Sequence, residues 1–376
     1  MPLSPEHLQR LSAPLIDIYN SIEEELLLNM ARIIRQGKEL LLQADDETEY
    51  QHWRLVQLNK VNNLTQQQLK TIAKYSRQTA KEIRKMVETA GYTVVEQHEW
   101  FFVQALLEGV DLIPAPPTTE SQSLFNILLA YEKQAQDVFN LINTTLLKQS
   151  QQVYIDVLNK TVGKVLTGVI TPQQALKQTF SDWAKRGIPA LIDRGGRRWS
   201  TEAYVSTVTR SMNQKVSSEM QFARMDEYGS DLIEVSSHLG ARPKCAPYQG
   251  RIFSRSGNSK RYPAWSTTSY GQPDGLLGIN CGHNIYPYIQ GKSRKTYEPY
   301  NKTENDKVYK ESQQQRAFER AIRKEKRKLS MMEAIDNPEG IKEAKLKVRE
   351  KQEQLRMFLE ETGRRRRLDR EQIVGG

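Results

Sequence analysis

Helical periodicity runs along most of this 376-residue chain and stops between His238 and Tyr288. That stretch reads HLGARPKCAPYQGRIFSRSGNSKRYPAWSTTSYGQPDGLLGINCGHNIYPY, and its five prolines and seven glycines leave room only for short strands and ordered loops. It also gathers both cysteines of the chain and two of its five histidines. A break of this kind between long helical stretches reads as a mainly α fold with a small central α+β unit. The N-terminal region should be elongated and helical, and the C-terminal part a helical hairpin. Along the chain this divides into a helical region at 1–195, a central α+β unit at 196–290, and a basic hairpin and tail at 291–376.

The helical reading rests on apolar spacing and on caps. Leu15, Tyr19, Ile22, Leu26, Met30 and Ile33 recur at three- and four-residue steps, so residues 1–37 read as one helix. After Asp45-Asp46-Glu47 a second helical stretch carries Trp53 to Val87 and is expected to end near Gly91. Trp100-Phe101-Phe102 reads as a helix-packing knot. Pro114, Pro116 and Pro117 form a break that a helix cannot cross. A long amphipathic stretch follows from Leu124 toward Val165, and Thr171-Pro172 restarts a helix with an N-cap and a proline in its first turn. The segment Ile192 to Trp199 has paired glycines and three arginines, which fits a helix-to-helix turn or an anion-binding nest. Ser200 caps a helix to about Glu227, closed by Gly229, and Leu232–Val235 reads as a short strand leading to His238.

Within the central stretch, His238-x6-Cys245 and Cys281-x-His283 form two ligand pairs separated by 35 residues. Two thiolates and two imidazoles suit a tetrahedral structural zinc, which stabilises a small loop-rich unit because the metal binds only the assembled fold. The spacing differs from the common Cys-x2-Cys pattern, and the same residues also fit buried thiols and hydrogen-bonded histidines. A catalytic reading pairs Cys281 with His283 or His238 and Asp274 as nucleophile, base and orienting acid. No nucleophile-elbow or oxyanion-loop pattern accompanies it, so no catalytic residue is assigned. A metal-dependent hydrolase or transferase with its site in 238–288 stands as the alternative to a binding protein.

Charge is concentrated at the C-terminal end. Residues 291–376 carry 24 Lys and Arg against 16 Asp and Glu, which accounts for eight of the ten net positive charges. Helicity returns after Gly291, with one apolar seam at Phe318, Ile322, Leu329, Met332 and Ile335 and another at Ile341, Val348, Leu355 and Phe358. Asn337-Pro338 opens the second arm. Candidate nucleic-acid contacts are Arg323, Lys324, Lys326, Arg327 and Lys328 on the first arm and the run Arg364, Arg365, Arg366 and Arg367, which should be disordered or extended when free. Counterion release would draw such charges to a polyanion, while a solvated helical face accounts for them equally well. No zinc-finger, RRM or other base-reading pattern is present. No run of 18 apolar residues occurs and no signal-peptide pattern opens the chain, so it reads as soluble and made in a cytosol, without a membrane partner.

The run SSHLGARPKCAPYQGRIFS, then YP, then SYGQPDGLLGINCGHNIYPYIQG, closely resembles the phage minor capsid protein 2 family of tailed phages. The resemblance extends upstream through IDRGGRRW and ARMDEYGSDLIEVSS and downstream through QQQRAFERAIRKEKRK to ETGRRRRLDREQI, covering Leu191 to Ile373. The N-terminal half shares only a general helical pattern. Two positions depart from the family's usual residues: Cys245, where histidine is frequent, and Gly282, where a basic residue is usual. The resemblance implies a virion component in head morphogenesis, near the portal or inside the capsid, present in the host cytoplasm during assembly. Its partners would be portal and capsid proteins and packaged DNA, with no small-molecule substrate and no cofactor beyond a possible Zn2+. It supplies no enzymatic residues to transfer.

Overall fold

The computed structural model describes residues 5–373. Its helices are α1 (Pro5–Arg35), α2 (Lys38–Gln43), α3 (Glu47–Leu58), α4 (Val61–Leu107), α5 (Gln122–Leu166), α6 (Pro172–Arg186), α7 (Thr201–Glu227), α8 (Lys302–Ala334) and α9 (Pro338–Thr362). Its strands are β1 (Pro189–Ile192), β2 (Arg198–Ser200), β3 (Leu232–Val235), β4 (Ile252–Ser254) and β5 (Ile285–Tyr288). The fold is mainly helical with a small β component, and residues 1–4 of the expected first helix lie outside the described residues. The chain forms two compact units, each gathered from three stretches. The first comprises Met1–Ile16, Ala80–Val138 and Ser206–Ser312; the second comprises Asp17–Thr79, Phe139–Val205 and Gln313–Gly376.

Unit 1 holds the antiparallel sheet β4-β3-β5, in which β3 is central and Ile233 faces Phe253 and Pro287. Its core joins Phe102 of α4, Met225 and Tyr228 at the end of α7, and Ile233, Val235, Phe253, Trp265 and Ile285. Phe102 stacks on Tyr228 with ring centroids 4.3 Å apart. The aromatic knot is thus divided, for Phe102 is buried while Trp100 is 67% exposed. Gly91 does not end a helix, because α4 runs through it to Leu107. A Cβ there would come within 2.9 Å of Leu128 and 3.2 Å of Met220, so glycine serves close helix packing at this point. Gly229, at φ 68°, closes α7, where only a residue tolerant of left-handed backbone fits cheaply.

Arg224 of α7 is the main buried charge of unit 1, with a side chain shielded from solvent. It ion-pairs with Glu99 of α4 and with Glu227, and its guanidinium lies over the Tyr228 ring at 4.8 Å. Tyr228 donates its hydroxyl to Glu99 at 2.7 Å. Burial, the Glu99 bond and the Glu99 charge push that phenol up to about 12.

Unit 2 packs helices through polar anchors as well as apolar seams. Tyr19 stacks on Phe139 and donates to Asn143 at 2.9 Å, and the Trp53 indole donates to the Gly37 carbonyl at 2.9 Å. The α6 start carries the expected cap, with Thr171 and Gln174 bonding each other's backbone N–H reciprocally. Residues 192–199 form a β-hairpin turn between β1 and β2, not a helix-to-helix turn. Asp193 accepts from the backbone N–H of Gly195 and Arg197 and from the Trp199 indole, so the turn's donors are already used by its own carboxylate.

The α8–α9 hairpin forms as its two seams imply. Ile322 packs with Leu355 and Leu359, flanked by Phe318 and Phe358. Helicity resumes only at Lys302, later than Gly291, where Asn301 accepts from the N–H of Thr303 and Glu304. Asn337 is buried and accepts from the Gly340 N–H at 2.8 Å, satisfying a donor that the helix start leaves open. Asn337→Ala is expected to cost about 1 kcal/mol, read as a lower urea midpoint with an unchanged slope; an unshifted midpoint would contradict the capping role.

Candidate metal centre

The four candidate ligands are delivered by the loops around the unit 1 sheet. His238 follows β3, Cys245 ends a turn closed by its N–H to the Arg242 carbonyl, and His283 precedes β5. Cys281 donates its N–H to the Gly278 carbonyl at 3.0 Å, in a loop that holds two non-glycine residues at positive φ, Leu277 at 57° and Asn280 at 56°. Such backbone is costly for leucine, by about 1–3 kcal/mol, and persists only where the surroundings enforce it. Arg242 does much of the enforcing. It donates to the carbonyls of Gly275 and Ile279 at 3.0 Å each and reaches the Cys245 sulfur at 3.7 Å.

Cys245, Cys281 and His283 are buried, and their donor atoms lie within 4.8 Å of one another. Two thiolates on a tetrahedral zinc sit about 3.8 Å apart, and a thiolate and an imidazole nitrogen about 3.6 Å. The separations here are 3.8 Å between the two sulfurs and 3.4 Å from Cys281 Sγ to His283 Nδ1. His238 stands beside this trio with its ring 4.4 Å from that of His283, and its Nε2 is buried with no hydrogen-bond partner among the described residues. Two thiols and an imidazole fit three positions of a structural zinc, while His238 lies outside that cluster of ligand atoms and against the His283 ring.

Electrostatics treat the two thiols oppositely and keep the His238 ring neutral. The Cys281 thiol, donating toward Cys245, holds the Cys245 sulfur below the usual thiol range against burial, with His283 and Arg242 acting in the same sense. Cys281 is correspondingly pushed up by that shared proton and by burial. Burial, with the neighbouring His283, lowers His238 to about 4, so its ring is neutral at pH 7. Gln249 Oε1 accepts from the backbone N–H of His238 at 3.1 Å and lies 3.3 Å from His283 Nε2. Because that oxygen can only accept, His283 carries a proton on Nε2 toward it, and Nδ1 is the ring atom left toward Cys281. Asp274 is exposed and paired with Lys244 at 2.7 Å; no carboxylate belongs to the ligand cluster.

The basic candidates all lie in unit 2, where many are already engaged. Arg323 ion-pairs with Glu202, Arg327 lies 3.3 Å from the buried Glu23, and Lys328 is 4% exposed against Glu343. Lys326 donates to Gln372 at 2.6 Å, Arg364 donates to Gln315 at 2.8 Å, and Arg366 holds the buried Glu371 through two bonds. The run 364–367 lies outside any helix or strand, and Lys324 and Arg365 are exposed.

A family model described as "Phage minor capsid protein 2" matches residues 3–360. The chain belongs to the phage minor capsid protein 2 family. Among curated relatives of this minor capsid protein is a "Structural protein" of Lactococcus phage LL-H, 30% identical over 359 residues, spanning 92% of this chain and 94% of the relative. Another is a "Structural protein" of Lactococcus phage mv4, 33% identical over 115 residues, which cover 30% of this chain and 94% of the relative. No solved structure matches. Two contributors to the minor capsid protein's cysteine site were not singled out from the sequence, Arg242 and Gln249. Their only sequence signal is proximity to Cys245, and their roles depend on contacts 33 to 37 residues away.

Proposed function

We propose that this chain is a structural component of a tailed-phage head, acting in head assembly near the portal or inside the capsid, and not an enzyme. The observation that carries the reading is the family match across residues 3–360, joined by a full-length relative described as a structural protein. In this reading zinc is held by Cys245, Cys281 and His283 with His238 as the fourth ligand, stapling the loops of unit 1 to its sheet. Portal and capsid proteins are the partners. Packaged DNA is contacted without sequence preference through basic side chains of the C-terminal part, drawn from Arg323, Lys324, Lys326, Arg327, Lys328 and Arg364 to Arg367. The absence, among the described residues, of a helix long and apolar enough to cross a membrane suits a role that needs no bilayer.

Gradient-purified, nuclease-treated particles analysed by quantitative mass spectrometry test this proposal. The chain is expected at a fixed ratio to the major capsid protein, and a strain lacking it should accumulate defective heads. Particles of full infectivity without the chain would overturn the assignment.

A further inference from the structure

Unit 2 contains a groove of about 460 Å³ whose walls come from the C-terminal end of α6, the β1–β2 hairpin and the middle of α8. Eight of its fifteen lining residues are Lys or Arg and one, Glu202, is acidic, so the charge is strongly one-sided. Three of the cations are offset by carboxylates: Arg323 by Glu202, Arg327 by Glu23 and Lys185 by Glu325. Arg186, Arg198, Arg320 and Lys324 are exposed and form no ion pair among the described residues. The Arg197 guanidinium lies 4.8 Å from the centre of the Trp199 ring, placing a further cation on an aromatic wall.

Converging like charges repel one another, and neither helix propensity nor the apolar seams require them here. A polyanion lying along the groove would relieve that repulsion and release counterions. Arginine supplies six of the eight cations, and its planar fork matches phosphate oxygens in pairs. Trp199, half-buried on the hairpin, adds a flat surface against which a sugar or base can pack. Asp193 already occupies the hairpin's backbone donors, so recognition falls to these side chains and not to a backbone nest. We infer that this groove binds the phosphodiester backbone of DNA, without sequence preference. The inference rests on the proposed DNA contact and relocates it: the hairpin arginines Arg197 and Arg198 and the α6 terminus join Arg320 and Lys324, while the arginine run 364–367 is secondary.

The test uses the full chain and a fluorescently labelled duplex of mixed sequence, read by anisotropy across a salt series starting at about 50 mM. An Arg198→Glu/Lys324→Glu variant, with its fold checked by circular dichroism, should bind at least about tenfold more weakly, and its salt slope should fall by about 1.8. An Arg365→Ser variant should stay within about twofold of the parent. As a second measurement on the unaltered chain, DNA should protect Lys324 from acetylation and leave the exposed Lys345 reactive. Unchanged binding by the double variant, or unprotected Lys324, overturns the groove while leaving DNA contact elsewhere intact. If the parent chain retains no duplex even at about 50 mM salt, DNA contact itself fails. Binding of polyglutamate in its place would make the groove a site for an acidic protein segment.

Discussion

One zinc ion per chain is expected from elemental analysis of protein purified without chelator, and Cys281→Ala should abolish it. The energetic consequence separates a metal site from a pair of buried thiols. If the sulfurs are only packed, replacing Cys281 with alanine costs about 1 kcal/mol, as an ordinary core substitution does. If they hold zinc, the variant loses metal-linked folding energy that reaches about 10 kcal/mol in small structural sites, and unit 1 should no longer unfold as the parent does. The 3.8 Å and 3.4 Å donor separations support the second outcome. Chelator should lower the melting temperature of the parent and leave that of Cys281→Ala unmoved. Acidification should weaken the metal, because protons compete for the same thiolates and imidazoles. Metal-free protein with chelator-insensitive melting would remove the zinc proposal.

Arg224→Ala is expected to destabilise unit 1 by about 3–5 kcal/mol, measured by urea unfolding. The loss does not measure the worth of an ion pair. It arises because the carboxylates of Glu99 and Glu227, at 26% and 18% side-chain exposure, are left without the cation that compensates their burial. The Tyr228 ring also loses the guanidinium that packs on it. A combined Arg224→Met/Glu99→Gln/Glu227→Gln variant should recover much of the stability, since the buried charges are removed together. A cost below about 1 kcal/mol for Arg224→Ala would place the cluster among exposed pairs of little consequence.

Local signals carried much of the fold. Thr171-Pro172, Ser200 and Asn337-Pro338 mark helix starts because their side chains satisfy the first open N–H groups, and the sequence alone names those residues. The apolar seams of α8 and α9 likewise specify a hairpin at short range. Glycine was the less reliable sign: Gly229 ends a helix, whereas Gly91 sits inside one because Leu128 and Met220 press on it from distant parts of the chain. The Ile192–Trp199 turn shows the same limit, since the paired glycines read as a helix-to-helix turn whereas strand pairing of Leu191 with Trp199 decides its form.

The candidate centre divides similarly. Residue types alone picked out Cys245, Cys281 and His283, and the fold brings together the two cysteines across a separation of 36 residues. The ties that orient them, from Arg242 and Gln249, are tertiary and carry no local pattern. Charge counting located the basic character near the C-terminus but not its direction. Lys328 and Arg366 serve buried carboxylates or neighbouring helices, while Arg197 and Arg198, far earlier in the chain, line the groove of unit 2.

Whether this chain is a built-in part of the phage head is read most directly from an asymmetric electron cryo-microscopy reconstruction of the purified particle. Density for the α8–α9 hairpin and the three-stranded sheet is expected at the portal vertex or on the inner face of the capsid. A complete reconstruction of both regions that accounts for all density without this chain would contradict it.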